Sequence, residues 1–211
     1  TVNFGTSSGD IGVTETNSAG CASLPALPKT VTIRQLPVLD PALDEIVCSN
    51  DVSGITFASS GLPTATGYNI TSVFVTPGLL QDVTNAAKNG TTHTNVAAGY
   101  IANDKFKNLT ATDLAVVYTV VPTREDPAAL FCNGAPVSVT LTIHPEPYLS
   151  TSLNTTVCSQ EISGLEMNEQ PGSVNATLFH YTAINVNGLT PAVGNATIPS
   201  SGGFPLGAAF D

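Results

Sequence analysis

Pro37-Val38-Leu39-Asp40-Pro41-Ala42-Leu43-Asp44-Glu45-Ile46-Val47-Cys48-Ser49-Asn50-Asp51-Val52-Ser53-Gly54-Ile55 returns 110 residues later as Pro147-Tyr148-Leu149-Ser150-Thr151-Ser152-Leu153-Asn154-Thr155-Thr156-Val157-Cys158-Ser159-Gln160-Glu161-Ile162-Ser163-Gly164-Leu165. Eight of these nineteen positions are identical without a gap, and Asn/Gln, Asp/Glu, Val/Ile and Ile/Leu exchange like for like. The register extends backwards, where Thr32-Ile33 reappears as Thr142-Ile143. A period of this length sets the size of the folding unit before any motif is considered.

Working outward, Cys21 followed by Thr30-Val31-Thr32-Ile33 resembles Cys132 followed by Val139-Thr140-Leu141-Thr142-Ile143. Residues 1–36 are therefore expected to be the C-terminal part of an upstream repeat, 37–146 a complete repeat, and 147–211 the N-terminal part of the next. A unit of about 110 residues has the ordinary size of a domain with one core. Isolated residues 147–211 would lack the equivalents of Leu114–Val121 and Val137–Ile143 and are not expected to fold alone. Residues 1–36 carry roughly those missing strands. A single long chain and a strand-exchanged polymer of short subunits both fit that complementarity, the long chain more simply.

Within the complete unit, Val137-Ser-Val139-Thr-Leu141-Thr-Ile143 alternates apolar and hydroxyl side chains with period two, the pattern of a strand with one face in a core. Leu114–Val121 is almost wholly β-branched or aromatic, and Pro122 is expected to end it. Tyr68–Val75 reads as a strand turning Tyr68, Ile70, Val73 and Val75 inward. Its later counterpart is Phe179–Val186. Shorter strands are expected at Ile55–Phe57 and Lys105–Leu109, and a short helix within Pro77–Asn89. Many short strands between Pro, Gly and Asn turns give an all-β fold, with tandem immunoglobulin-like β-sandwich repeats of about 110 residues. The joints Leu36-Pro37 and His144-Pro-Glu-Pro147 favour extended, stiff backbone.

The chain is 42% apolar and only 10% charged, against an ordinary charged share of roughly 25%. Its polar surface must come from Thr, Ser and Asn. A formal net charge of −10 repels phosphate backbones, so nucleic acid is an unfavourable partner. No apolar run approaches the roughly 20 residues needed to span a bilayer, so no membrane insertion is expected in this stretch. Four cysteines at repeat-related positions, without Cys-x-x-Cys or a neighbouring histidine, do not form a zinc pattern. They fit disulfides and an oxidising, extracellular setting, the alternative being free thiols in a reducing one.

At Val47-Cys48-Ser49, Tyr68-Asn-Ile-Thr71, Val116-Val-Tyr-Thr-Val-Val-Pro-Thr123, Cys132-Asn-Gly-Ala-Pro136 and Val139–Pro147, the chain resembles the polycystic-kidney-disease-like, immunoglobulin-fold repeats of giant surface proteins in Bacteroidetes. The third copy, with Asn185-Val-Asn-Gly-Leu189, resembles the same group. The resemblance covers essentially the whole chain. It implies a secreted, cell-surface array of the kind found in adhesins and gliding filaments exported through the type IX pathway, with no catalytic residues. Cys48 and Cys132 match that group's early and late cysteine within one repeat, and their pairing as a disulfide is the expectation. Cys21 and Cys158 would then find partners outside this stretch, or pair with each other across a strand-exchanged junction.

Remaining motifs carry little chemistry. Gly5-Thr-Ser7-Ser-Gly9 matches a nucleophile elbow, but turn and strand residues follow it where a helix is required. His93, His144 and His180 are scattered and have no second ligand at metal spacing. Asp40, Asp44, Asp104 and Asp126 are candidate calcium ligands near the unit's ends, against the reading of a solvated acidic surface. Asn-x-Thr triplets begin at Asn69, Asn89, Asn108, Asn154, Asn175 and Asn195. They are either glycosylation acceptors or turn chemistry in a Thr-rich β-protein. The sequence thus supports a non-enzymatic structural and adhesive repeat whose expected partners are neighbouring repeats, with surface glycans or proteins as further candidates. A ligand-binding module using Pro77–Tyr100, and an accessory module of a large secreted enzyme, are the alternatives.

Overall fold

The computed structural model describes residues 3, 5–24, 28–126, 130–159, 161, 165–180, 203–204 and 209–210. Fourteen strands follow in order: β1 Gly9–Ile11, β2 Lys29–Val31, β3 Glu45–Cys48, β4 Gly67–Val75, β5 Leu79–Gln81, β6 His93–Val96, β7 Phe106–Asn108, β8 Leu114–Asp126, β9 Leu130–Asn133, β10 Val137–His144, β11 Leu165–Glu166, β12 Phe179–His180, β13 Gly203–Phe204 and β14 Ala209–Phe210. The fold is all-β, with no helix among the described residues. Tyr181–Val186, Asn185–Leu189 and Asn195 lie outside them.

Residues 37–146 build a β-sandwich. One layer is a regular sheet in the order β3-β10-β8-β4-β6, with β9 continuing alongside β8 beyond β10. β3 joins β10 in parallel, Glu45 facing Leu141 and Cys48 facing His144, and the other neighbours are antiparallel. The second layer is looser. It comprises the β5–β7 pair, a Val52–Lys105 bridge, and bonds from Asn50 N–H to Phe106 O (2.9 Å), Gly54 N–H to Ala102 O (2.9 Å) and Phe57 N–H to Ala98 O (2.9 Å). Ile55 and Phe57 are core residues here, without the regular strand expected of them.

Alternation dictates the core. Val139, Leu141 and Ile143 of β10 and Val116, Tyr118 and Val120 of β8 are buried and meet Ile55, Phe57, Ile101 and Phe106 of the second layer. Strict period two along β4 would bury residue 72 after Tyr68 and Ile70. A bulge between Ile70 and Ser72 shifts the phase, so Val73 and Val75 are buried and Phe74 is exposed.

Two expectations are corrected. Pro122 does not end β8, which runs on to Asp126. On one edge β8 changes partner from β10 (Val120 facing Val137) to β9 (Thr123 facing Asn133), and Pro122 stands in that gap, where no N–H is called for. Its carbonyl still accepts from Gly134 N–H (2.8 Å). Pro77–Asn89 holds no helix, but β5 and a series of turns. Asp82 Oδ1 accepts from Thr84 N–H (2.8 Å), Asn85 pairs with Lys105 through both amide atoms (2.8 Å each), and Asn89 Oδ1 accepts from Val75 N–H (3.0 Å). Short polar side chains that capture backbone groups in this way outcompete a helical ladder.

The period seen in the sequence recurs in the backbone bonding. Asp40 N–H donates to Ala58 O (2.9 Å) and Ser60 N–H to Val38 O (2.8 Å); 110 residues on, Ser150 N–H donates to Asn168 O (2.9 Å) and Gln170 N–H to Tyr148 O (2.7 Å). Leu39 bridges Ser59 as Leu149 bridges Glu169. The turn closed by Asp51 N–H on Cys48 O (3.1 Å) recurs as Glu161 N–H on Cys158 O (3.1 Å). Upstream, β1 and β2 pair Gly9 with Val31 and Asp10 with Thr30, as β8 and β10 pair Val116 with Leu141 and Val117 with Thr140. The Thr16–Ala22 bridge matches Thr123 facing Asn133.

Gly134 has no room for a side chain. A Cβ there would collide with the Pro37 carbonyl and the Pro122 ring. Gly134→Ala is therefore expected to destabilise the sandwich by about 1–3 kcal/mol through overpacking. Exposed Gly99, with open space around it, should accept alanine at little cost. Urea unfolding of the two variants checks this.

Candidate functional site

The chain passes through the sandwich from one pole to the other, and the poles carry its chemistry. At the amino-terminal pole, buried Pro37 lies against Gly134, and Leu39 and Asp40 are stitched to Ala58–Ser60. At the carboxy-terminal pole the organiser is Asn108, which is 0% exposed. Its Nδ2 donates to Thr112 O and Ile143 O (2.9 Å each), and its Oδ1 accepts from Thr110 N–H (3.1 Å) and Thr110 Oγ1 (2.7 Å). Asn108 N–H donates to Ser49 Oγ (2.9 Å), and its carbonyl accepts from Glu146 N–H (3.0 Å). One buried amide thus ties β7, β10 and the exit segment together, with every polar group engaged. Lys107 Nζ pairs with Glu146 Oε1 (3.1 Å) and lies 5.9 Å from the Tyr148 ring centroid. The start of residues 147–211 is thereby held against the sandwich.

Sequence reasoning saw Asn108 only as the head of an Asn-x-Thr triplet. A wholly buried Asn108 leaves no access for a glycan, so this triplet is turn chemistry. Asn69 Oδ1 accepts from Asn95 N–H (2.7 Å) and serves the backbone in the same manner. The Lys107–Glu146–Tyr148 contact was not foreseen. Glu146 between two prolines in the joint was its only signal.

The expected Cys48–Cys132 bridge is not formed, and no two of the four cysteines are bonded to each other within the chain. Cys48 faces His144, whose neighbour Ile143 faces Leu114 at the start of β8, whereas Cys132 faces Arg124 near the other end. Some ten residues of β8 separate the two levels, roughly 33 Å at about 3.3 Å per residue. A disulfide requires Cα atoms about 4.4–6.8 Å apart. The early and late cysteines of one unit mark opposite poles, and linear sequence could not show that. By the sequence correspondence of Cys21 with Cys132 and of Cys158 with Cys48, the same polarity would set Cys21 and Cys158 at opposite poles of a strand-exchanged sandwich.

The candidate calcium ligands do not converge. Asp40 Oδ1 accepts from Ala42 N–H (3.0 Å) and Asp44 Oδ1 from Thr140 N–H (2.7 Å). Asp104 is buried in the second layer, and Asp126 ends β8. No group of three or more His, Cys, Asp or Glu forms a metal-holding cluster among the described residues. His93 meets Thr91 Oγ1 (2.9 Å) and Tyr100 Oη (3.0 Å), while His144 Nδ1 meets Asp113 Oδ1 (2.7 Å) at the surface. The side chain of His180 lies outside the described residues. Residues 5–7 form a turn leading into strand β1, so Ser7 has no helix behind it.

Asp104 is the electrostatic exception. Burial pushes its carboxyl above the ordinary carboxylate value, against the opposing pull of Ala86 N–H (2.6 Å), Ala87 N–H (3.2 Å) and His93. Burial, and secondarily the Asp104 charge, also raises the Tyr118 hydroxyl. The Tyr118 Oη has no protein partner among the described residues.

No family model matches the chain, and no curated protein matches it. The class that the architecture defines is the all-β sandwich, with both chain ends of the 37–146 unit fastened at opposite poles. No helix among the described residues is long and apolar enough to cross a membrane.

Two measurements probe the buried pair. Because the folded pKa of Asp104 is raised, the folded state binds the proton more tightly than the unfolded state. Its contribution is therefore full below the ordinary carboxylate value and lost as pH rises through the folded value. Asp104→Asn removes that dependence, so the wild type should lose stability relative to the variant as pH rises from about 3. Any fixed cost from the altered Ala86 and Ala87 bonds is independent of pH. Parallel slopes in denaturant titrations across acid pH would contradict this assignment. Separately, Tyr118→Phe deletes a buried hydroxyl that has no protein partner, and should leave the thermal midpoint unchanged or raised.

Proposed function

We propose that this chain is part of a non-catalytic, extracellular array of immunoglobulin-type modules, a stalk or filament that supplies reach and stiffness at a cell surface. The observation that carries the reading is the recurrence of the same bonding 110 residues downstream, with a matching hairpin upstream, on either side of a sandwich whose core lies wholly between Leu39 and Ile143. Each joint is extended, proline-bearing and fastened, with Pro37 packed at one pole and Glu146 and Tyr148 held by Lys107 at the other. A chain that enters and leaves at opposite poles lengthens with every unit added. The low charged content and Thr/Ser/Asn surface suit an exposed β-protein, and the resemblance to polycystic-kidney-disease-like repeats supports the same setting.

A second reading draws on Leu80 and Val83, which are 56% and 84% exposed in the Pro77–Tyr100 segment. Apolar side chains displayed on β5 and on the turn that follows it would serve as a contact for a glycan or protein, with the array as its carrier.

Surface labelling and mild protease shaving of intact cells test the location. The protein should be released or labelled without lysis, and protection until lysis would refute the extracellular reading. Reducing, denaturing electrophoresis of native material tests the array. A species many times heavier than the 21.6 kDa of this stretch is expected for one long chain. A band near that mass leaves only assembly from copies, which sedimentation under native conditions would have to show.

A further inference from the structure

Two cysteines per sandwich sit at opposite poles, and each is accessible. Cys48 is exposed at the pole where the chain leaves, beside Ser49 N–H bonded to His144 O (3.0 Å) and Asn50 Nδ2 bonded to Glu146 Oε2 (3.2 Å). Cys132 is half-buried at the pole where the chain arrives, two residues before the Gly134 that packs on Pro37. The two flanking cysteines repeat these places. Cys158 closes the same turn as Cys48, and Cys21 lies in the hairpin that matches the β8–β9 pairing around Cys132.

Resting on the array reading above, we infer that these thiols form disulfides across the joints, the early cysteine of one module (Cys48 or Cys158) with the late cysteine of the module that follows it (Cys132 or Cys21 type). In a head-to-tail array every joint receives one cysteine of each class, because the leaving pole of one module abuts the arriving pole of the next. Along the chain the separations are short on both sides. Cys48 is level with His144, three residues before Pro147, and Cys132 is two residues from the glycine on which the matching proline, Pro37, sits. The Lys107–Glu146 pair and the Lys107–Tyr148 contact hold the joint at this place. Within one sandwich the same two thiols cannot meet. Such a bridge would clamp each joint covalently beside its backbone connection and resist bending between modules.

The chemistry is an exchange. A thiolate of one cysteine attacks a disulfide-bearing thiol oxidant, and the second cysteine resolves the mixed disulfide. The protein gains one S–S bond, and the oxidant leaves with the two protons and two electrons as a dithiol.

The test is a peptide map of unreduced native protein, with free thiols blocked before digestion. The expected links join unlike classes: Cys48 to a late cysteine and Cys132 to an early one. If copies of this chain assemble end to end, these are Cys48–Cys21 and Cys132–Cys158 between copies. A ladder on non-reducing gels should then collapse to the 21.6 kDa band on reduction. In one long chain the links join successive modules, and reduction leaves a heavy species heavy. Cys48→Ser keeps an exposed position polar and should free one additional late-class thiol per chain for labelling, at the joint that follows the 37–146 unit. A Cys48–Cys132 link, a link within either class, or four blocked thiols per stretch would overturn the inference. Blocked thiols in a heavy or sedimenting species overturn the bridges alone, whereas blocked thiols in a 21.6 kDa monomer overturn the array reading as well.

Discussion

β8 is bonded along both edges, and the 37–146 unit is organised around that constraint. Seven of its residues face β10, four face β9 and eight face β4. A strand held on two sides cannot slip by one residue without turning its core face to solvent. Val116, Tyr118 and Val120 are therefore fixed inward, and the registers of β10 and β4 follow. β3 then takes its position from β10, and the buried amide of Asn108 fastens the second layer to the end of β10 through Ile143 O. The change of partner at Pro122 lets one strand of thirteen residues serve two neighbours in line and carries β9, with Cys132, out to the amino-terminal pole.

The fold class was legible in the sequence because alternation is a local property. Val137–Ile143 shows its buried and exposed faces residue by residue, Leu114–Val121 is marked by its β-branched and aromatic content, and the structure keeps both as strands. Three features depend on context and not on local pattern. Val73 and Val75 are expected inward with Tyr68 and Ile70 and are buried, but the bulge that reconciles the two phases is set by pairing with β8. Proline at 122 is a strand breaker only where its missing N–H would be wanted, and that depends on where β9 gives way to β10. The turns of 82–89 are decided by Asn85 and Lys105 meeting across 20 residues, a contact that no propensity records.

The candidate site was less legible than the fold. Spacing identified two cysteines per unit but carried no information on polarity, which arises only when β3 is laid parallel to β10 and β9 is placed beyond it. Asn108 was visible as one of six similar triplets, and burial alone separates it from Asn69, Asn89, Asn154 and Asn175. The acidic candidates were chosen for proximity to the joints. In three dimensions Asp40, Asp44 and Asp104 each accept a backbone N–H of their own, which is sufficient reason for a carboxylate to be there.

The parallel β3–β10 pair has a mechanical consequence. The chain comes to β3 from the amino-terminal pole and departs from β10 at the other, so a pull on the two joints draws these neighbours in opposite directions along their length. The bonds between Glu45–Cys48 and Leu141–His144 lie across that pull and share the load together, instead of opening one after another. Leu39 and Asp40, bonded to Ser59 and Ala58, take up force before it reaches β3. Under tension the sandwich would behave as a shear joint, whose strength rises with the number of bonds that must fail at once.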